Sequence, residues 1–97
     1  MAVLMIVSMR GPTPDLLAAA DRIERGIGLP EGLLARAVAP TDDGIVLVNL
    51  WASEELRRAS NDDPAHEQVL RESGIADVTE STAVARYETA RFSFGSP

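Results

Sequence analysis

The sequence predicts an α+β domain in which helices cover one face of an antiparallel sheet, and three observations predict it. Residues 44–51, Gly-Ile-Val-Leu-Val-Asn-Leu-Trp, form an almost unbroken apolar run of strand character. A turn segment, Pro40–Thr41–Asp42–Asp43–Gly44, separates that run from a second strand candidate at 33–39, so the two read as a β-hairpin. Directly after Trp51 comes Ser53–Glu54–Glu55, a capping hydroxyl followed by acids suited to a first helical turn. A hairpin that feeds straight into a helix is the centre of the domain. In its turn, Gly44 is expected to supply a positive φ.

The remaining elements follow in order. Residues 2–9 are the first strand, with Val3, Met5, Val7 and Met9 on one face and Ala2, Leu4, Ile6 and Ser8 on the other. Both sets are mostly apolar, which places this strand inside its sheet. After Arg10–Gly11–Pro12, Thr13 reads as an N-cap and Pro14 as the first helical residue. The helix is expected over 14–26. Leu16, Ala20, Ile23 and Ile27, with Leu17 beside them, form its buried stripe, and Asp21, Arg22, Glu24 and Arg25 form its polar side. Gly26 and Gly28 end it. In the strand at 33–39, Leu34, Arg36 and Val38 share one face while Leu33, Ala35, Ala37 and Ala39 share the other. In the strand at 45–51, Ile45, Leu47, Asn49 and Trp51 oppose Val46, Val48 and Leu50. The second helical region, 53–72, is broken by Ser60–Asn61–Asp62–Asp63–Pro64 into two short helices. Asp63 caps the second, Pro64 begins it and Gly74 ends it. A last strand lies within 78–90, with Ala83, Ala85 and Tyr87 opposing Val84, Arg86 and Glu88. The order βαββαβ is that of a ferredoxin-like sandwich, a single domain over 1–90 with a C-terminal tail at 91–97. In that tail Phe92 and Phe94 are available to dock on a neighbour.

Composition bounds the function. The chain has 97 residues, enough for one domain with a small core. Aromatic residues make up only 4%, which favours thin helices close to the sheet, filled by Leu, Ile, Val and Met. Fifteen acids against nine bases give a net charge of −6, leaving no cationic footprint for nucleic acid or an anionic membrane. Without cysteine there is no disulfide, thiol catalysis or Cys-based metal centre. Residues 1–7 are apolar but lack a basic flank and a long apolar core, so they read as a strand and not a signal peptide. No run is long enough for a membrane span, and a cytoplasmic location is the expectation. Asp42–Asp43 and Asp62–Asp63 match no metal-loop spacing and read as turn and cap residues, so no metal site is expected.

The strands at 2–9 and 45–51 are apolar on both faces, yet a chain this short has helices for only one. A contiguous uncovered apolar face marks an interface. The simplest solution is a twofold homodimer with the sheets face to face, Val46, Val48 and Leu50 meeting the second copy.

Three segments carry a resemblance: Pro30–Glu31–Gly32–Leu33, the run from Asp43 and Gly44 to Trp51, and Ser53–Glu54–Glu55. With the βαββαβ order they make the chain resemble the dimeric α/β-barrel superfamily, the antibiotic-biosynthesis-monooxygenase-like and polyketide-cyclase-like proteins, over roughly 2–88. The resemblance implies a homodimer and, in each subunit, a pocket between sheet and helices. It also implies a cofactor-independent enzyme acting on an aromatic or polyketide-like hydrophobic small molecule, by cyclisation, isomerisation or oxygenation. The alternative is a non-catalytic dimeric module that binds a small ligand or serves a structural role. Members of this group commonly carry a His near the middle of the second strand, where this chain has Arg36, and an acid in the third, where it has Asn49. A haem-degrading role is a poor match, because the one imidazole, His66, lies on the broken second helix.

Four residues are candidate catalytic groups. Arg36 is a cation within a strand, suited to hold an enolate, phenolate or carboxylate, or else to pair with an acid at a rim or interface. Asn49 is the polar interruption of an apolar strand and adds a neutral donor or acceptor. His66 shares a helical face with Val69 and Leu70 and suits general-base work if that helix lines the pocket. Tyr87 offers a phenol, or an interface contact. Met5, Val7, Trp51 and Leu56 are the expected apolar lining; Met5 is adaptable, and Trp51 is either an aromatic wall or a core anchor.

Overall fold

The computed structural model describes residues 1–93 and 95; the expected docking role of Phe94 lies outside them. The element order is β1 (Ala2–Arg10), α1 (Thr13–Ile27), β2 (Leu33–Thr41), β3 (Gly44–Trp51), α2 (Glu54–Asn61), α3 (Pro64–Ser73), α4 (Ile75–Val78) and β4 (Ser81–Thr89). The four strands form one antiparallel sheet in the order β2-β3-β1-β4. The fold is therefore α+β and ferredoxin-like. The two strands that are apolar on both faces are its two central ones, as a strand with both sides wanting cover should be.

Local chemistry places most boundaries. Ser53 caps α2 by accepting from the Leu56 N–H at 3.2 Å, and Asp63 caps α3 by accepting from the Ala65 N–H at 2.9 Å. Gly74 ends α3 in the left-handed region, φ 74°, and the chain then forms α4, a single turn beyond the two expected short helices. The strands run one or two residues further than expected at the tips: β1 to Arg10, β2 to Thr41, and β3 from Gly44.

Four expectations are corrected. Thr13 is not the N-cap of α1. Pro12 holds that position, and the Thr13 hydroxyl donates instead to the carbonyls of Gly44 (2.9 Å) and Thr41 (3.2 Å), pinning the helix start to the hairpin tip. Gly26 does not end α1; the helix runs through it to Ile27, and Gly28 is the cap. Gly44 does not have a positive φ. It is paired opposite Arg10 on β1, and a Cβ there would strike the Met9 carbonyl, so close backbone approach is what the position requires. Leu33 and Leu34 exchange roles. Leu33 pairs with Trp51 and Ala35 with Leu50, so Leu34 is an extra residue, a β-bulge. The bulge turns Leu33 onto the helix-facing side, where it is buried with Val3 and Trp51, and leaves Leu34 41% exposed.

The helices pack on the face carrying Val3, Met5 and Val7 of β1 and Ile45, Leu47, Asn49 and Trp51 of β3. Leu16 and Ala19 of α1 are fully buried there. The interior near Val3, Leu33 and Trp51 is closely packed. Toward the middle of the sheet the helices stand off, and a cavity opens. The other face of the sheet, with Leu4, Ile6, Val46, Val48 and Leu50, is only partly shielded within the chain.

Candidate functional site

Alternation along the strands sends Met5, Val7 and Met9 of β1, Arg36 and Val38 of β2, and Leu47, Asn49 and Trp51 of β3 into one cavity of about 570 Å³. Helix α1 roofs it with Leu17, Ala20, Ile23 and Ile27; α2 and α3 close the end with Arg57, Ser60, His66 and Leu70. The volume suits a small organic ligand, and the lining is mostly apolar with a few polar groups, the usual composition of such sites. Leu17, Ala20, Ile23 and Ile27 were expected in the core. They are only half-buried because the stripe they form borders this space.

Arg36 and Asn49 are the polar centre of the floor. They stand directly opposite one another across the hairpin, and Arg36 Nε donates to Asn49 Oδ1 at 2.9 Å. A guanidinium is a donor only, so this bond fixes the amide: Oδ1 faces Arg36, and the Asn49 NH₂ is left for other partners. The structure records no partner for that NH₂, nor for the Arg36 η nitrogens, among the described residues. The pair thus offers several donors to whatever occupies the floor, with one lone pair of Asn49 Oδ1 already engaged. Burial lowers the Arg36 pKa from the ordinary guanidinium value, and the negative charge of Glu24 acts against that shift.

The other expected residues divide. Met5, Val7, Trp51 and His66 line the same cavity as Arg36 and Asn49. Trp51 is also a core anchor, 5% exposed and packed with Val3 and Leu33. His66 stands in a wall shared with a second cavity of about 420 Å³, which Leu56 lines from α2. Leu56 is therefore not in the main cavity. Tyr87 is paired with Leu4 on the opposite side of the sheet and is 56% exposed; its phenol is directed away from Arg36 and Asn49.

Three charged residues not among the expected site residues also line the main cavity: Asp21 and Glu24, from the expected polar side of α1, and Arg57. A signal for Glu24 was present. It lies four residues after Ala20 and three before Ile27, the spacing of side chains that share a helical face. Asp21 is paired with Arg25 at 3.0 Å. Arg57 is held by both carboxylate oxygens of Glu54, which also receives Arg86 of β4 at 3.0 Å. Hydrogen bonding from Arg57, opposed by desolvation and aided by Arg86, lowers the Glu54 pKa to about 2. The cluster ties α2 to the sheet edge beside the cavity.

No protein-family model matches the chain, and no curated protein matches it. Solved structures do. A candidate antibiotic biosynthesis monooxygenase from Chloroflexus aurantiacus J-10-fl superposes with a TM-score of 0.77 over 98% of this chain and 100% of that one, at 18% identity. SnoaB, a cofactor-independent oxygenase from Streptomyces nogalater, gives 0.66 over 98% and 96%, at 14% identity. A dimeric ferredoxin-like protein of unknown function from Thermobifida fusca gives 0.72 over 92% of each chain, at 19% identity. The likeness is one of fold. It extends over nearly the whole of each chain, so the arrangement of sheet and helices is common architecture. Residue identity this low carries no side-chain role across. No helix among the described residues is long and apolar enough to cross a membrane.

Proposed function

We propose that this protein is a cofactor-independent enzyme that oxygenates an aromatic or polyketide-like small molecule in the cavity between its sheet and helices, and that it works as a homodimer joined through the open face of the sheet. The observation that carries the reading is the Arg36–Asn49 pair: a half-buried cation and an oriented amide on the floor of an apolar cavity. Such donors stabilise a developing oxyanion far better in a water-poor site than in solution. The structural likeness to SnoaB, a cofactor-independent oxygenase, makes oxygenation the preferred member of the set that also includes cyclisation and isomerisation. Met5, Val7 and Trp51 supply apolar contact for a flat ring system.

The chemistry asks little of the protein. An enol or phenol that loses its proton becomes an electron-rich anion, with its negative oxygen held by Arg36 and Asn49. That anion reduces dioxygen. For an anthrone the balance is CH₂ + O₂ → C=O + H₂O, with the ring carbon oxidised and one oxygen atom leaving as water. His66, at the end of the same cavity, is the candidate to pass a proton in from solvent as water departs.

Dithranol, a dihydroxyanthrone whose oxidation product is the quinone danthron, is the test substrate. Oxygen uptake should saturate with dithranol and match danthron formation mole for mole. Arg36→Met should lower kcat by about 100-fold, the scale expected for loss of an oxyanion donor. An uptake rate no higher than that of buffer, or one unchanged in Arg36→Met, overturns the reading. Saturable danthron binding without uptake identifies a ligand-binding module instead.

A further inference from the structure

The charges around the cavity do not all remain available to a ligand. Those lining it are Asp21 and Glu24 on α1, Arg36 on β2 and Arg57 on α2, with the titratable His66 on α3. Asp21 is engaged by Arg25, and Arg57 by Glu54. That leaves Arg36 and Glu24. Both line the same space, one from the floor and one from the roof, yet no ion pair joins them. No hydrogen bond or ion pair reaches the Glu24 carboxylate from any described residue. Arg36 nonetheless feels its charge. A carboxylate with no hydrogen-bond or ion-pair partner among the described residues thus shares the cavity with a guanidinium whose η nitrogens have none either.

We propose that Glu24 is a catalytic residue: the carboxylate that takes the proton from a substrate hydroxyl whose oxygen rests on Arg36 and Asn49. This rests on the oxygenase reading above and deepens it. In the step, the substrate O–H bond breaks and an O–H bond forms on the Glu24 carboxylate. The electron pair stays on the substrate oxygen, which the Arg36 η nitrogens and the Asn49 NH₂ hold by hydrogen bonds. No oxidant enters until the anion exists. The arrangement also specifies the substrate's charge. Arg36 and Glu24 balance, so the site is matched to an electroneutral, acidic enol or phenol that becomes an anion only as Glu24 becomes neutral. A ligand that arrives already carrying a carboxylate meets Glu24 while it is still negative and is repelled. Since a carboxylate is a weak base beside a simple phenol, the substrates favoured are those whose hydroxyl is acidified by a neighbouring carbonyl or an extended ring system.

The test uses the full-length protein and two readouts. Glu24 is exposed and its carboxylate carries no structural bond, so Glu24→Gln should keep the wild-type circular dichroism spectrum and urea midpoint. With dithranol, Glu24→Gln should lose about 100-fold in kcat, at the lower end of what a positioned base contributes, while KM changes by no more than about threefold. Glu24→Asp should recover part of the loss. In binding, wild type should hold danthron about tenfold more tightly than rhein, the same ring system bearing a carboxylate, and Glu24→Gln should erase that preference. A Glu24→Gln enzyme with wild-type kcat overturns the role of Glu24 while leaving the oxygenase reading intact. A wild-type protein that consumes no oxygen with dithranol overturns both.

Discussion

At Asn49 a single hydrogen bond bears on stability and, on the proposed reading, on chemistry. Its Oδ1 satisfies the half-buried Arg36 Nε, which turns its NH₂ toward other partners. Two substitutions separate these effects. Asn49→Leu removes the acceptor and leaves a half-buried guanidinium nitrogen unpaired, which should cost about 1–2 kcal/mol in a urea unfolding experiment. Asn49→Asp restores an acceptor, now charged, and should match or exceed wild-type stability. It should nevertheless bind danthron at least about tenfold more weakly, because a carboxylate on the floor neutralises the cation that a phenolate needs. Equal danthron affinity in Asn49→Asp and wild type, measured by fluorescence or absorbance titration, would show that the floor is not where the ligand oxygen sits.

At the scale of elements, the attachment of α2 to the sheet edge is electrostatic. Glu54 in its first turn receives Arg57 from its own helix and Arg86 from β4. Hydrogen bonds from Arg57 and Arg86 hold the Glu54 carboxyl well below its ordinary value of 4.5, down to about 2. A depressed acid contributes stability at pH values above the unfolded pKa and loses that contribution as pH falls through the folded one. Wild type should therefore lose an increment of stability between about pH 4.5 and pH 2 that Glu54→Gln has already lost at neutral pH, so the two melting temperatures converge on acidification. Curves that run parallel over that window count against the network. The α1–α3 crossing is steric instead. A Cβ at Gly26 would meet Val69 Cγ1 at 2.8 Å, so Gly26→Ala should destabilise by about 1 kcal/mol despite its better helix propensity. Val69→Ala should relieve the clash in the double variant, read as a coupling energy of opposite sign in a double-mutant cycle. The same contrast between local and distant causes explains what could be read from the chain. The caps at Ser53 and Asp63, the hairpin and the βαββαβ order are written in neighbouring residues. The bulge at Leu34, the diversion of Thr13 to the hairpin and the duty of Gly44 depend on where other strands lie. Glu24 and Arg57 are polar residues bordering an apolar stripe, and only the gap between helices and sheet turns them toward a site.

For the molecule as a whole, the two faces of one sheet differ in cover. The helix-facing side contains the cavity. The opposite side presents Leu4 and Ile6 of β1, Val46, Val48 and Leu50 of β3, and Tyr87 of β4, only partly shielded by the described residues. A contiguous apolar surface on central strands marks an interaction site, and the proposed dimer would cover it with a second copy, since a twofold axis makes the patch complementary to itself. Tyr87, paired with Leu4 and directed away from the cavity, would be an interface residue in the proposed dimer. Sedimentation equilibrium at micromolar concentration should give about twice the chain mass of 10.4 kDa. Val48→Asp should shift the protein to the monomer, because the dimer would bury two uncompensated carboxylates near its axis. Val48 alternates with Asn49 and Leu47 along β3, so its side chain lies on the far side of the sheet from Arg36. If the cavity is complete within one chain, the monomeric variant should retain danthron affinity to within about threefold of wild type. If affinity is lost together with the dimer, the second subunit contributes to the site or holds its floor in place. A wild-type chain that remains at 10.4 kDa under these conditions rules the dimer out.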